Sequence, residues 1–153
     1  MATNPITVML VEDNPFDVEL MLHAFKQVNL ANNMLVMLDG LEVLTYFFGR
    51  NFAEPDPDQH SPLRSEIPQL ILLDINMPRL SGLEVLKRLK TDTRTRNIPV
   101  VVLTASKEDQ NLAKCYDLGA NSYIVKPIDF EQFIHVAEQL SYQWLLFKQQ
   151  PDD

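Results

Sequence analysis

Apolar and polar positions alternate along this chain between two periods. Five short runs, 6–11, 34–38, 70–73, 100–103 and 123–125, are apolar almost throughout. Runs of that length with so few polar interruptions predict strands buried on both faces. A helix-start signal follows each one. Asn14-Pro15 sets a capping side chain before a proline at the first helical position. Asp39 with Glu42, and Ser81 with Glu84, have capping-box spacing. Ser106 with Asp109 three residues on predicts the start of the fourth helix, and Asp129 that of the fifth. Behind these signals the apolar period becomes helical: Val18, Met21, Leu22, Phe25 and Val28 in the first, Leu83, Leu86 and Leu89 in the third. The fifth carries Phe130, Phe133, Ala137, Leu140 and Trp144.

Strand and helix alternating five times predict an α/β doubly wound fold: a five-stranded parallel sheet with helices on both faces. Right-handed crossovers favour the flavodoxin-like strand order 2-1-3-4-5, with the first and third strands adjacent. Ligands of such folds bind in the crevice beyond the carboxyl ends of the strands. The polar residues at those ends are therefore the candidates: Glu12 and Asp13 after the first strand, Asp74 after the third, Thr104 after the fourth and Lys126 after the fifth. Asp39, after the second, is explained by its capping role. A lone aspartate after a strand is ordinarily a turn-former, but here the carboxylates converge.

Composition narrows the chemistry. The chain has 153 residues, the size of one domain, and is 46% apolar. A formal charge of −8 argues against non-specific nucleic-acid or anionic-membrane binding, which needs a basic face. No apolar run reaches membrane-spanning length, and Met-Ala-Thr-Asn-Pro lacks the features of a signal peptide, so the expected location is cytoplasmic. The single cysteine, Cys115, sits in a helical apolar period and is expected to be packing. His23, His60 and His135 lack metal-ligand spacing and are given no site role.

Three carboxylates held close would raise one another's pKa unless a cation intervened. Magnesium suits an all-oxygen site open to water. Asp74 could then act as a nucleophile towards phosphorus, with the phosphoryl charge shared by the metal, Lys126 and the Thr104 hydroxyl.

Val11-Glu12-Asp13-Asn14, Leu73-Asp74-Ile75-Asn76-Met77-Pro78, Leu103-Thr104-Ala105-Ser106 and Val125-Lys126-Pro127 resemble, in that order, the motifs of the CheY-like receiver domain of two-component response regulators. Gly82 and Gly119-Ala120 also match, and the resemblance covers roughly 6–148. It implies that Asp74 is the phosphoacceptor and that Glu12, Asp13, Asp74 and the backbone carbonyl of Asn76 hold Mg2+. It further implies that Thr104 and Lys126 contact the phosphoryl group beside the small Ala105, and that the Lys126–Pro127 bond is cis. Tyr123, three residues before Lys126, is then the aromatic partner of Thr104 in a conformational switch, although strand packing alone would also explain it.

Two stretches depart from a minimal receiver. The proline-rich 50–68 is too long for a routine connection. The end of the last helix, with Trp144 and Phe147, is apolar on nearly every side, which suggests a partner surface and a homodimer. Both features resemble single-domain regulators that partner cyanobacterial phytochrome histidine kinases. The expectation is thus a single receiver over 1–153 without an output domain, phosphorylated by a sensor histidine kinase and acting through another protein. It would catalyse only its own phosphotransfer and slow dephosphorylation. The alternatives are weaker. A haloacid-dehalogenase-type phosphatase wants an acid where Asn76 stands, and a nucleotide-binding domain wants a glycine-rich turn where Glu12-Asp13-Asn14-Pro15 stands. A phosphate-independent adaptor on the same fold would be marked by loss of a site residue, and none is lost.

Overall fold

A computed structural model describes residues 7–28, 33–49, 66–77, 80–126, 131 and 135, without the side chains of 24–28 and 33. Five parallel strands, β1 (Thr7–Val11), β2 (Asn33–Met37), β3 (Leu70–Asp74), β4 (Val100–Thr104) and β5 (Ser122–Val125), lie in the order β2-β1-β3-β4-β5. The connecting helices are α1 (Pro15–Val28), α2 (Gly40–Phe48), α3 (Gly82–Thr91) and α4 (Gln110–Asp117). Every residue of β1, β3 and β4 is buried, as their unbroken apolar runs predict. The strand order reverses between β1 and β3, so right-handed crossovers put α2, α3 and α4 on one face and α1 on the other. Met9, Val11, Ile71, Leu73, Val100 and Val102 face the first layer, packing with Phe47, Leu86, Leu89 and Cys115. Alternation along the strands sends Leu10, Leu72 and Leu103 to the other face.

Local capping chemistry sets most helix starts as expected. The Asn14 Oδ1 accepts from Phe16 N at 2.9 Å and Asp17 N at 3.3 Å. Asp39 accepts from Glu42 N at 2.9 Å, while the Glu42 carboxylate returns to Leu38 N. Ser81 accepts from Glu84 N at 3.3 Å. The fourth helix corrects its prediction: its cap is Asp109, which accepts from Asn111 N at 2.8 Å. Ser106 instead begins a turn, its carbonyl accepting from Asp109 N at 3.1 Å. The expected box was a turn closed by its own last residue, with the helix starting beyond it.

At the far end of α3, fully buried Asp92 accepts from Arg94 Nε at 3.0 Å and Nη2 at 2.8 Å, with Arg88 Nη1 at 3.5 Å. The Arg94 bonds foremost hold its carboxyl below the ordinary value, against the opposing effect of burial. The Arg88 guanidinium also lies 4.2 Å from the centre of the Phe48 ring, tying α3 to α2. The fifth helix, Pro127, Trp144, Phe147 and most of the 50–68 stretch lie outside the described residues; Glu131 and His135 are helical.

Candidate functional site: an acidic sheet edge

Register brings the candidates together. Val11 pairs with Leu73, so Glu12 and Asp74 follow side by side. Asp74 pairs with Leu103 and Thr104 with Val125, which sets Thr104 and Lys126 at the same edge. Backbone bonds continue just past the strands, Glu12 N to Met37 O at 3.0 Å and Lys126 N to Thr104 O at 2.7 Å, so the functional residues hang on rigid ladder ends.

Glu12 and Asp74 are buried, whereas Asp13 is exposed to solvent. One carboxylate oxygen from each lies within 4.8 Å of the others. The Lys126 Nζ is 2.7 Å from Glu12 Oε2 and 2.9 Å from Asp74 Oδ2. Asp74 Oδ1 accepts from Asn76 N at 3.0 Å, and Glu12 Oε1 from Asn14 N at 3.1 Å. Burial pushes Glu12 up to about 7, with the Lys126 bond opposing and the Asp74 charge adding to the rise. Burial would lower Lys126, but its bonds to Glu12 and Asp74 outweigh that and hold the ammonium above its ordinary range, so it stays charged. Glu12 Oε2 is buried and its partner is the Lys126 ammonium at 2.7 Å. Three carboxylates that each offer one oxygen within 4.8 Å of the others make an all-oxygen donor set that fits Mg2+.

Thr104 is buried at the same edge, but its hydroxyl is turned into the β4–α4 connection. It donates to Ser106 O at 3.0 Å and lies 3.4 Å from Asp109 Oδ2. Ala105 and Asn76 are exposed. Tyr123 is half-buried, edge-on to the Tyr116 ring at 6.2 Å between centres. Gly82 explains how α3 meets the site: its N–H reaches Ile75 O at 3.3 Å, and a Cβ there would stand 2.5 Å from Asp74 O.

One residue escaped the sequence reading. Asp17 Oδ2 lies 3.3 Å from Lys126 Nζ. Its position three after Asn14 was visible, but that spacing signals a capping box, not a site. Phe16 and Leu20, on the same helix, are 77% and 47% exposed, an apolar surface at the site's margin.

A parallel sheet in the order β2-β1-β3-β4-β5, with an acidic switch-point edge bridged by a lysine, is the arrangement that the receiver motifs predict. The chain belongs to the response regulator receiver domain family, whose model matches residues 8–138. It is 33% identical to the probable methanogenesis regulatory protein FilR2 of Methanothrix harundinacea over 98% of this chain and 90% of that protein. The structure of the bacteriophytochrome response regulator RtBRR matches at 39% identity and a TM-score of 0.72, covering 89% of this chain and 78% of that one. Response regulator Rcp1 of Synechocystis is 29% identical over 92% of this chain and 90% of that protein. Its Mn2+-bound form superposes with a TM-score of 0.67 over 92% and 95% of the two chains. The protein is thus a two-component response regulator, with phytochrome response regulators among its homologues. Among the described residues no helix is long and apolar enough to cross a membrane.

Proposed function

We propose that this protein accepts a phosphoryl group on Asp74 from the phosphohistidine of a sensor histidine kinase of the phytochrome type, with Mg2+ bound by Glu12, Asp13, Asp74 and the Asn76 carbonyl. The observation that carries this reading is Lys126, whose ammonium spans Glu12 and Asp74 beside a carboxylate trio spaced for a metal. A bound Mg2+ would neutralise charge on the phosphoryl oxygens and let an anionic donor approach an acidic edge. An Asp74 carboxylate oxygen attacks phosphorus; the N–P bond breaks and its electron pair returns to the donor's imidazole nitrogen. Lys126 then pairs with a phosphoryl oxygen. Water later attacks phosphorus, releasing inorganic phosphate and restoring the carboxylate.

Thr104 supplies the readout. Its hydroxyl leaves Ser106 O for a phosphoryl oxygen, with the small Ala105 leaving room, and Tyr123 adjusts its packing on Tyr116 as the β4–α4 connection moves. The signal passes to a separate downstream protein in the cytoplasm. Trp144 and Phe147 form the surface of a homodimer, and 1–153 acts as one receiver.

Acetyl phosphate with and without Mg2+, followed by intact mass and sedimentation, tests this reading. The expected result is a Mg2+-dependent gain of one phosphoryl group, absent in Asp74→Asn. Labelling at another residue refutes Asp74, and transfer unchanged in chelator removes Glu12 and Asp13 from a metal role. An unaltered sedimentation profile for Trp144→Ala removes that residue from the dimer.

A further inference from the structure

The start of α1 holds a carboxylate that local structure does not use. In a capping box the acid at the third helical position reaches back to the cap residue's N–H. Here that N–H, on Asn14, already donates to Glu12 Oε1 at 3.1 Å. Asp17 is released from this duty, and its Oδ2 lies 3.3 Å from Lys126 Nζ, with both side chains less than one-fifth exposed. Lys126 therefore has three carboxylate partners. Two of them, Glu12 and Asp74, belong to the trio spaced for a metal, while Asp17 does not. A divalent cation and an ammonium repel each other and compete for the same carboxylate oxygens. Metal loading must therefore weaken the hold of Glu12 and Asp74 on Lys126.

We propose that Asp17 is a positioning residue, the carboxylate that retains Lys126 when a divalent cation occupies Glu12, Asp13 and Asp74. The inference rests on the metal reading of the site given above. Asp17 accepts the displaced ammonium, so that cation binding is not opposed, and keeps it within reach of a phosphoryl group arriving on Asp74. In the metal-free state the Asp17 pair is the longest of the three, 3.3 Å against 2.7 Å to Glu12 and 2.9 Å to Asp74, so Lys126 is shared away from it. Its strength is added on loading, so its loss weakens cation binding.

Calorimetry of Mg2+ binding at fixed pH and ionic strength tests this in a double-mutant cycle. Asp17→Asn is expected to weaken binding about fivefold, the scale of a partly exposed ion pair, with cooperative thermal unfolding retained. In the Lys126→Met background, or Lys126→Gln should the Met variant lose its cooperative transition, the same substitution is expected to cost only about twofold, the residue of a lost nearby charge. Equal or greater loss in the lysine-free background overturns the proposal, because Asp17 would then act by bulk charge alone. No loss in Asp17→Asn overturns it as well. A wild-type protein that binds no Mg2+ overturns the reading of the site itself, and the role of Asp17 with it.

Discussion

Gly82→Ala is the substitution in which fold and site should fail together. A methyl there would lie 2.5 Å from Asp74 O, 2.5 Å from Ile75 Cα and 3.1 Å from the Asp74 carbonyl carbon. All three are backbone atoms, so no side chain can rotate away. Restoring ordinary contact requires α3 or the end of β3 to move by about 1 Å. Overpacking of this kind costs about 1–3 kcal/mol, and the gain of alanine over glycine in a helix offsets about 0.5–1 kcal/mol of it. The expected net loss is about 1–2 kcal/mol, or about 2–8 °C in Tm for a domain of this size. The functional loss should exceed that, because the displaced backbone is the one that carries Asp74, the proposed phosphoacceptor, and a shift of about 1 Å can cost about 100-fold in rate. Urea unfolding gives the first quantity, and the rate of labelling by acetyl phosphate under conditions where the variant is fully folded gives the second. Gly40→Ala is the control: its Cβ meets the Val85 side chain at 2.6 Å and Leu80 O at 2.9 Å, away from Asp74. It should lose stability with a much smaller fall in labelling. Wild-type unfolding midpoint and labelling rate in Gly82→Ala would refute the reasoning.

Asp92→Asn should cost on the order of 1–3 kcal/mol at pH 7, since it removes the charge on which Arg94 and Arg88 converge. The Asp92 carboxyl is depressed in the fold, so its contribution is full above the ordinary value of 3.8 and is lost as pH falls through the folded value; denaturation at pH 7 and pH 3 should show the variant and wild type converging in acid. The Cys115 thiol, fully buried and pushed up to about 11 mainly by burial, should resist alkylation at pH 8 until the protein is unfolded, and rapid native-state modification would contradict that burial. Phe16→Ala should slow transfer from a histidine kinase severalfold while leaving acetyl phosphate labelling unchanged, because the exposed ring offers surface to a protein donor and nothing to a small one. Equal labelling from both donors would return Phe16 to the ordinary surface.

The strands, their alternation with helices and the polar residues at the sheet's carboxyl edge were legible in the amino-acid sequence. Each rests on local chemistry. A strand buried on both faces must be apolar throughout, and a helix start must satisfy its first N–H groups, so 70–73 followed by Asp74 and Asp39 followed by Glu42 were legible without a structure. Motif resemblance singled out Asp74, Thr104 and Lys126, which the register brings to one edge, for the same reason, that each stands at a fixed place beside an apolar run. The exact start of α4 was less legible, because Ser106 and Asp109 are both good caps and only the path of the connection decided between a turn and a helix. Contacts between elements distant along the chain emerged only from the folded arrangement. Asp17 meets Lys126 because α1 and the end of β5 share one sheet edge, and no local pattern distinguishes that acid from a capping partner. Gly82 is required because another segment's backbone passes where its Cβ would be, a constraint set by the packing of α3 on β3. Thr104 sits where its motif puts it, but its hydroxyl points to Ser106 and Asp109, since a buried hydroxyl takes an acceptor that the β4–α4 connection supplies.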